Sequence, residues 1–148
     1  MILYRITSKA YARDLSGTGA MFHGGRWNPK GIRMLYTSQS LSLATLEVVV
    51  NLSGNKITNN LYCVELEFPD ELPIDTIKKL PENWNAYPYI GKTVDIGKAF
   101  IQSEKLCLKV PSAIIPSEYN YLINPLHDDF IKVKFLDARP FILDKRLV

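Results

Sequence analysis

At 148 residues, 47% of them hydrophobic and 11% aromatic, the chain has the length and apolar content of one domain spanning residues 1–148 around one core. Its 18 Lys and Arg residues only slightly exceed its 15 Asp and Glu residues and are scattered, so nucleic acid is not favoured as the main ligand. The chain shows no signal-peptide pattern and no run of about 20 apolar residues, which argues against a membrane span and predicts a soluble cytoplasmic protein.

The first half of the chain predicts strands around one capped helix. A short opening strand at residues 2–6 precedes a glycine-rich loop at 16–31 and a second strand at 34–38. Ser40 is expected to cap a helix that runs from Leu41 to about Leu52. Alternation of apolar residues predicts a further strand at residues 62–68, which Pro69 ends.

The second half predicts mainly strands. Residues 83–89 form an irregular aromatic segment, and a second helix is expected at about 93–103. Strands are predicted at residues 106–110, 119–123 and 131–136, with one more at 141–143. Because strands outnumber helices without regular alternation, the fold class is predicted to be α+β with a largely antiparallel sheet.

Two cysteines lie within the apolar alternating runs. Cys63 and Cys107 are each expected to be a buried free thiol that packs as a small hydrophobic side chain. No CxxC pair and no Cys/His cluster is present, so no metal site is predicted.

Glu47 is the most informative position in the sequence. It lies on a predicted helix that is apolar nearly all round and is therefore expected to be largely buried. A buried carboxylate is costly unless it is paired. Glu47 is therefore either a site carboxylate that faces a cation in a cleft, or a helix-edge residue that reaches solvent or a structural arginine.

Four other polar residues are candidates for the same site. Arg26 follows two glycines that free the backbone, and its guanidinium is suited to phosphate binding; the alternative is a surface arginine at a turn. Tyr36 lies on a predicted strand and is either a core or a site residue. Ser112 and Asn124, each beside a proline, are either turn residues or ligand contacts.

Taken together, these segments resemble the RES-domain family in order and spacing. The matching stretches are GGRWNPKG at residues 24–31, LYTS at 35–38, LSLATLEV at 41–48, VPS at 110–112 and NYLINPLH at 120–127. Two departures lie outside the reacting centre: His127-Asp128 replaces the usual His-Pro, and residues 97–100 lack a tryptophan often found in the family.

The resemblance implies a fold and a function. The implied fold is that of ADP-ribosyltransferases, in which a split, mostly antiparallel sheet with a few flanking helices forms a cleft for NAD. The implied function is that of a toxin of a bacterial toxin–antitoxin pair, which depletes NAD by cleaving its nicotinamide–ribose bond through hydrolysis or phosphorolysis. NAD is then a substrate, inorganic phosphate a potential co-substrate, and no cofactor is needed. The implied partner is a cognate antitoxin with an Xre-like helix-turn-helix domain that blocks the cleft.

Carried over position by position, the resemblance implies four catalytic residues: Arg26, Tyr36, Glu47 and Ser112. Contacts to NAD are implied for Gly25, Arg26, Asn28, Tyr36, Ser112 and Asn124. We expect Arg26 to hold the diphosphate of NAD, or an attacking phosphate, across a cleft from Glu47. Tyr36 is expected to stack on nicotinamide or ribose, while Ser112 and Asn124 bind ribose or phosphate oxygens.

The sequence leaves three alternatives and the oligomeric state open. The chain could instead transfer ADP-ribose to a protein target. It could be a non-catalytic binding module in which Arg26 and Glu47 form a structural pair. A third alternative, a nucleic-acid-binding module that stacks bases on Trp27 and Trp84, is opposed by the lack of a basic stripe.

Overall fold

The computed structural model describes residues 1–52 and 59–148. The strands in this part of the chain are β1 (Ile2–Ser8), β2 (Leu35–Ser38), β3 (Leu61–Glu67), β4 (Asp75–Thr76), β5 (Cys107–Pro111), β6 (Tyr119–Ile123) and β7 (Lys134–Phe141). The α-helices are α1 (Thr18–His23), α2 (Leu41–Asn51) and α3 (Gly91–Gln102). Short 3-10 helices lie at Lys9–Tyr11, Asp128–Lys132 and Lys145–Leu147.

The seven strands of the described residues form one sheet in the order β4-β5-β6-β2-β1-β3-β7. Every neighbouring pair is antiparallel except β4 with β5. The predicted α+β class with a mostly antiparallel sheet is therefore confirmed. Within the same described residues, no helix has the length and hydropathy needed to cross a membrane.

The glycine-rich loop and the C-terminal strands differ from the prediction. Residues 16–31 contain α1, which lies between Gly17 and Gly24, both with left-handed φ angles of 71° and 69°. These glycines therefore delimit a helix. The predicted strand at 131–136 begins only after a 3-10 helix and continues to Phe141, so the separate strand at 141–143 is wrong. Because β7 is an edge strand, its side chains lack the strict alternation that reveals a half-buried strand.

Helix α2 begins as predicted but is less buried than expected. The Ser40 hydroxyl accepts a hydrogen bond from the backbone N–H of Leu43 at 3.1 Å, which caps the first turn. Only Leu43 and Ala44 of this helix are fully buried, and Val50 is 56% exposed. The expectation of a largely buried helix is therefore wrong, because the sheet covers only one side of α2.

Hydrophobic side chains pack on both faces of the sheet. One cluster contains Leu3, Leu35, Val64, Leu66, Phe68, Cys107 and Ile123. The other contains Trp27, Met34, Phe100, Leu108, Val110 and Leu122. Both cysteines are free and buried as predicted, and burial raises the pKa of the Cys107 thiol to about 12, which makes it a poor nucleophile at neutral pH.

The sheet is split between its two central strands. Strands β1 and β3 pair along their whole length, whereas β1 and β2 pair only at Tyr4 with Ser38. Continued antiparallel pairing would bring Ile6 opposite Tyr36, but the described ladder does not extend there. The gap between β1 and β2 opens the cleft described next.

Candidate active site

A cleft of about 530 Å³ opens at the split in the sheet, and its size suits a small-molecule ligand. Its polar and aromatic lining comes from β1, β2, α2, β6 and two connecting loops, and includes Arg5, Arg26, Tyr36, Glu47, Asn51, Tyr87, Tyr89 and Asn120. Two smaller cavities, of about 240 and 140 Å³, share Arg5 and Tyr36 with it. The structure thus brings Arg26, Tyr36 and Glu47 together around one concave surface, with the backbone of Gly25 beside them.

Glu47 reaches this cleft from α2 and is held through one carboxylate oxygen. Its Oε1 accepts a hydrogen bond from the Ser112 hydroxyl at 2.9 Å and another from the Asn120 amide nitrogen at 2.6 Å. No donor among the described residues binds its Oε2, which is therefore available to a ligand in the cleft. Glu47 has no ion pair within the described residues, so the structural arginine of the helix-edge alternative is not found there. Glu47 is half-buried, so it keeps the contact with solvent that the same alternative allowed.

Arg26 projects into the same cleft from the tight turn between Gly25 and Asn28. Its Nη1 donates to the backbone oxygens of Trp84 at 2.9 Å and Ala86 at 2.8 Å. Burial lowers the pKa of Arg26, and the negative charge of Glu47 opposes that shift. No acceptor among residues 1–52 and 59–148 binds the other three N–H donors of the guanidinium, so Arg26 can anchor residues 83–89 and bind an anion at the same time.

The hydroxyl of Tyr36 is fully engaged inside the protein. It donates to Asn28 Oδ1 at 2.6 Å and accepts from the backbone N–H of Trp27 at 3.2 Å. Burial raises the pKa of Tyr36. A Cβ atom at Gly25 would lie 2.9 Å from the hydroxyl oxygen, so only glycine leaves room for this contact. Tyr36 therefore offers its ring to the cleft, while its hydroxyl holds the turn that carries Arg26.

The structure places three of the predicted NAD contacts, Asn28, Ser112 and Asn124, outside the cleft lining. Asn28 is 1% exposed, and its Nδ2 donates to the backbone oxygens of Ala20, Pro29 and Ile32. Ser112 is fully buried, donates to Glu47 and accepts from the N–H groups of Ile114 and Ile115. Neither residue lines the cleft. The polar atoms of both side chains are instead hydrogen-bonded to other residues of the protein, as buried polar groups usually are.

Asn124 is the third of these residues, and it lies beyond the end of β6 and outside the cleft lining. Its Nδ2 donates to the backbone oxygen of Lys105 at 3.1 Å, and its Oδ1 accepts from the backbone N–H of Leu126 at 3.0 Å. It lines a separate cavity beside His127. The turn role that a residue before proline commonly has accounts for these contacts.

Sequence reasoning missed Asn120 and Arg5. Asn120 occupies the same face of β6 as Leu122, and this alternation could have indicated that it faces the cleft side. Arg5 is a charged residue within an otherwise mostly apolar strand. Its Nη1 donates to the backbone oxygen of Asp14 at 2.9 Å. Burial lowers the pKa of Arg5 to about 10, which is still high enough to keep the guanidinium charged at neutral pH.

The aromatic segment at residues 83–89 was also missed as part of the site. Arg26 anchors its backbone, and the segment contributes Tyr87 and Tyr89 to the cleft wall. The side chain of Tyr87 is 91% exposed, so its flat ring is accessible from solvent. Such rings can stack on the flat rings of a nucleotide.

Comparisons with known proteins agree with this architecture. The sequence profile of the RES domain matches residues 2–144. A protein of Sphingobium sp. (strain YBL2) called Prs ADP-ribosylating toxin is 40% identical over 142 residues, which cover 93% of this chain and 88% of that protein. A protein of Photorhabdus laumondii subsp. laumondii called Toxin Res is 39% identical over 155 residues, which cover 100% of this chain and 97% of that protein.

A solved structure shows the same fold at lower sequence identity. A chain of the MbcT–MbcA toxin–antitoxin complex of M. tuberculosis superimposes with a TM-score of 0.77 and 17% identity. The superposition covers 95% of this chain and 83% of that chain. The two chains therefore share one fold.

Proposed function

The chain belongs to the RES-domain family, and from that membership and the cleft geometry we propose that it is a toxin that cleaves the nicotinamide–ribose bond of NAD. One observation carries the proposal: the Glu47 carboxylate is clamped through one oxygen in a nucleotide-sized cleft that it shares with the Arg26 guanidinium. A fixed anion beside a fixed cation suits a substrate that carries a diphosphate and develops positive charge when it reacts.

The chemistry requires little from the protein besides charge and position. Breaking the nicotinamide–ribose bond develops an oxocarbenium-like ribose, which a carboxylate stabilises. Nicotinamide leaves as a neutral ring, so no strong general acid is needed. Glu47 Oε2 supplies the negative charge, while Arg26 and Arg5 lie on the same cleft and provide cations for the diphosphate. The rings of Tyr36 and Tyr87 provide stacking surfaces.

Three acceptors for the ribose fit this site: water, inorganic phosphate and a protein side chain. Water or phosphate would deplete NAD, whereas a protein acceptor would make the chain an ADP-ribosyltransferase. The name of the Sphingobium relative, an ADP-ribosylating toxin, supports transfer as the second candidate function.

An inhibitory partner is part of the proposal. The structural neighbour was solved as a toxin–antitoxin complex, which supports an antitoxin for this chain too. We propose an antitoxin with an Xre-like helix-turn-helix domain that covers the cleft. Exposed apolar side chains near the cleft, among them Val50 and Tyr87, offer such a partner a contact surface.

Incubation of the purified protein with NAD tests the function directly. We expect free nicotinamide, and the mass of the second product identifies the acceptor: ADP-ribose for water, ADP-ribose phosphate for phosphate. A labelled protein in a cell lysate supplied with labelled NAD would indicate transfer. Absence of nicotinamide release in buffer, in phosphate and in lysate would refute the proposal and leave the non-catalytic binding module.

Arg26→Lys is expected to raise KM for NAD about tenfold or more and to loosen residues 83–89. Lysine keeps the positive charge, but its single ammonium group cannot hold two carbonyl oxygens and a diphosphate together. Steady-state kinetics and hydrogen exchange of residues 83–89 measure the two effects.

Arg33→Lys is the matched control for this variant. The Nη1 atom of Arg33 also donates to two acceptors, the backbone oxygen of Ser16 at 3.2 Å and Thr18 Oγ1 at 2.9 Å. Arg33 is not part of the cleft lining. Equal KM and equal exchange at 83–89 in the two variants would contradict the anchoring role of Arg26.

A further inference from the structure

We propose that Asn120 is a positioning residue that fixes the Glu47 carboxylate for bond cleavage, and that Ser38 supports it by holding the oxygen of the Asn120 amide. The inference rests on the proposed function, because it assigns how Glu47 is held for that reaction. It adds two residues to the site, and sequence reasoning singled out neither.

The hydrogen bonds run in one direction through the three side chains. Ser38 Oγ lies 2.7 Å from Asn120 Oδ1, and Asn120 Nδ2 lies 2.6 Å from Glu47 Oε1. In the reversed amide, the Asn120 oxygen would face the Glu47 carboxylate, which can only accept, so Glu47 selects the orientation in which Nδ2 faces it. The Ser38 hydroxyl, which can donate as well as accept, donates to Oδ1 in that orientation and holds the other end of the amide.

The centre of the sheet holds this chain of bonds rigidly. Asn120 lies on β6, opposite Ser38 on β2 and opposite Val110 on β5. Strand β6 thus has neighbours on both sides, and Ser38 itself is buried. Glu47 comes from a helix whose far side is exposed, so the contact to Asn120 ties a helical side chain to the most constrained part of the fold.

Two donors converge on the same oxygen from different strands. Ser112 follows β5 and Asn120 lies on β6, and both bind Glu47 Oε1. The Ser112 oxygen is itself held by the backbone N–H groups of Ile114 and Ile115. With Oε1 fixed from two directions, the carboxylate cannot rotate, and Oε2 keeps one position relative to the substrate. A fixed carboxylate stabilises a developing cation without reorganisation during the reaction.

Asn120→Ala is expected to lower kcat for NAD cleavage about 100-fold, with KM close to wild type, because a small misplacement of a reacting group costs about that much. A general loss of structure would change KM or the active fraction instead. Ser38→Ala is expected to lower kcat by a smaller factor, since the amide keeps its bond to Glu47 but loses the contact that holds its oxygen. An unchanged kcat in Asn120→Ala would overturn the proposal, and an unchanged kcat in Ser38→Ala would overturn the supporting role of Ser38.

Asn120→Leu guards against misfolding of the alanine variant. Leucine keeps the branched shape of the side chain but has no donor for Glu47. We expect a folded protein, as judged by circular dichroism, with a kcat as low as that of Asn120→Ala. Wild-type kcat in folded Asn120→Leu would overturn the proposal.

Asn124→Ala is the matched control, because it removes another asparagine side chain of the same chain segment, one that is itself buried, without touching Glu47. We expect it to lower thermal stability while kcat stays near wild type. A loss of kcat equal to that of Asn120→Ala would show a general packing effect and overturn the positioning role.

A double-mutant cycle separates action through Glu47 from independent action. In the Glu47→Gln background, Asn120→Ala is expected to cause no further loss in single-turnover assays, because residues that act as one unit are not additive. Multiplied losses would overturn the proposal. If the wild-type protein released no nicotinamide at all, the proposed function itself would fail. An active wild type with an inactive Glu47→Gln and a fully active Asn120→Ala would refute only the role of Asn120.

Discussion

The Glu47→Gln variant is expected to fold normally and to lose NAD cleavage by about 1,000-fold in kcat, the scale seen when one fixed electrostatic contact to a transition state is removed. The glutamine oxygen can still accept the hydrogen bonds from Ser112 and Asn120, so the clamp persists. The amide nitrogen that replaces Oε2 is neutral and a donor, and it cannot stabilise a positively charged ribose. KM for NAD is expected to change little.

Nicotinamide release under single-turnover conditions measures this loss, and thermal unfolding checks the fold. Glu65→Gln is the matched control, since Glu65 pairs with Arg139 at 2.8 Å and is not part of the cleft lining. That variant should retain wild-type cleavage. Full activity of Glu47→Gln would contradict the assignment of Glu47 and, with it, the proposed mechanism.

Gly97→Ala is expected to destabilise the protein by about 3 kcal/mol or more, at the upper end for overpacked sites. A Cβ atom at Gly97 would lie 1.5 Å from the backbone oxygen of Trp27, so either α3 or the turn must move. That turn carries Arg26, and its shift is expected to lower kcat/KM for NAD about 100-fold even in the folded fraction.

Thermal unfolding and NAD kinetics below the transition measure both effects. Gly91→Ala is the matched control on the same helix, because nothing lies within 4 Å of the Cβ position at Gly91. Its melting temperature and activity should equal or exceed those of the wild type, since alanine favours the helix. If the Gly97 and Gly91 variants behaved alike, the tight contact between α3 and the turn would be refuted.

Local patterns predicted the regular elements well where the chain has one buried and one exposed face. The cap at Ser40 and the strand at Tyr119–Ile123 were recognised because capping and alternation depend only on residues that are close in sequence. Helix α1 and the short strand β4 were not recognised. A six-residue helix between glycines and a two-residue strand carry too little periodicity, and their partners elsewhere in the fold stabilise them.

The chain of residues by itself determined the fold class, the free thiols and the residues Arg26, Tyr36 and Glu47 as candidates for one site. These conclusions follow from composition, periodicity and the placement of polar groups in apolar surroundings, together with the resemblance to the RES-domain family. Each of these conclusions depends on short stretches of sequence and does not require knowledge of how the stretches pack together in the fold.

Only the tertiary structure decided which polar residues meet Glu47. Ser112 and Asn120 stand 65 and 73 positions from it in sequence, and strand pairing brings both to the same oxygen, whereas Asn124 points to a different cavity. The physical reason is that buried polar atoms must all find partners. Which partner each one finds depends on the register of the whole sheet, and a local pattern does not contain that register.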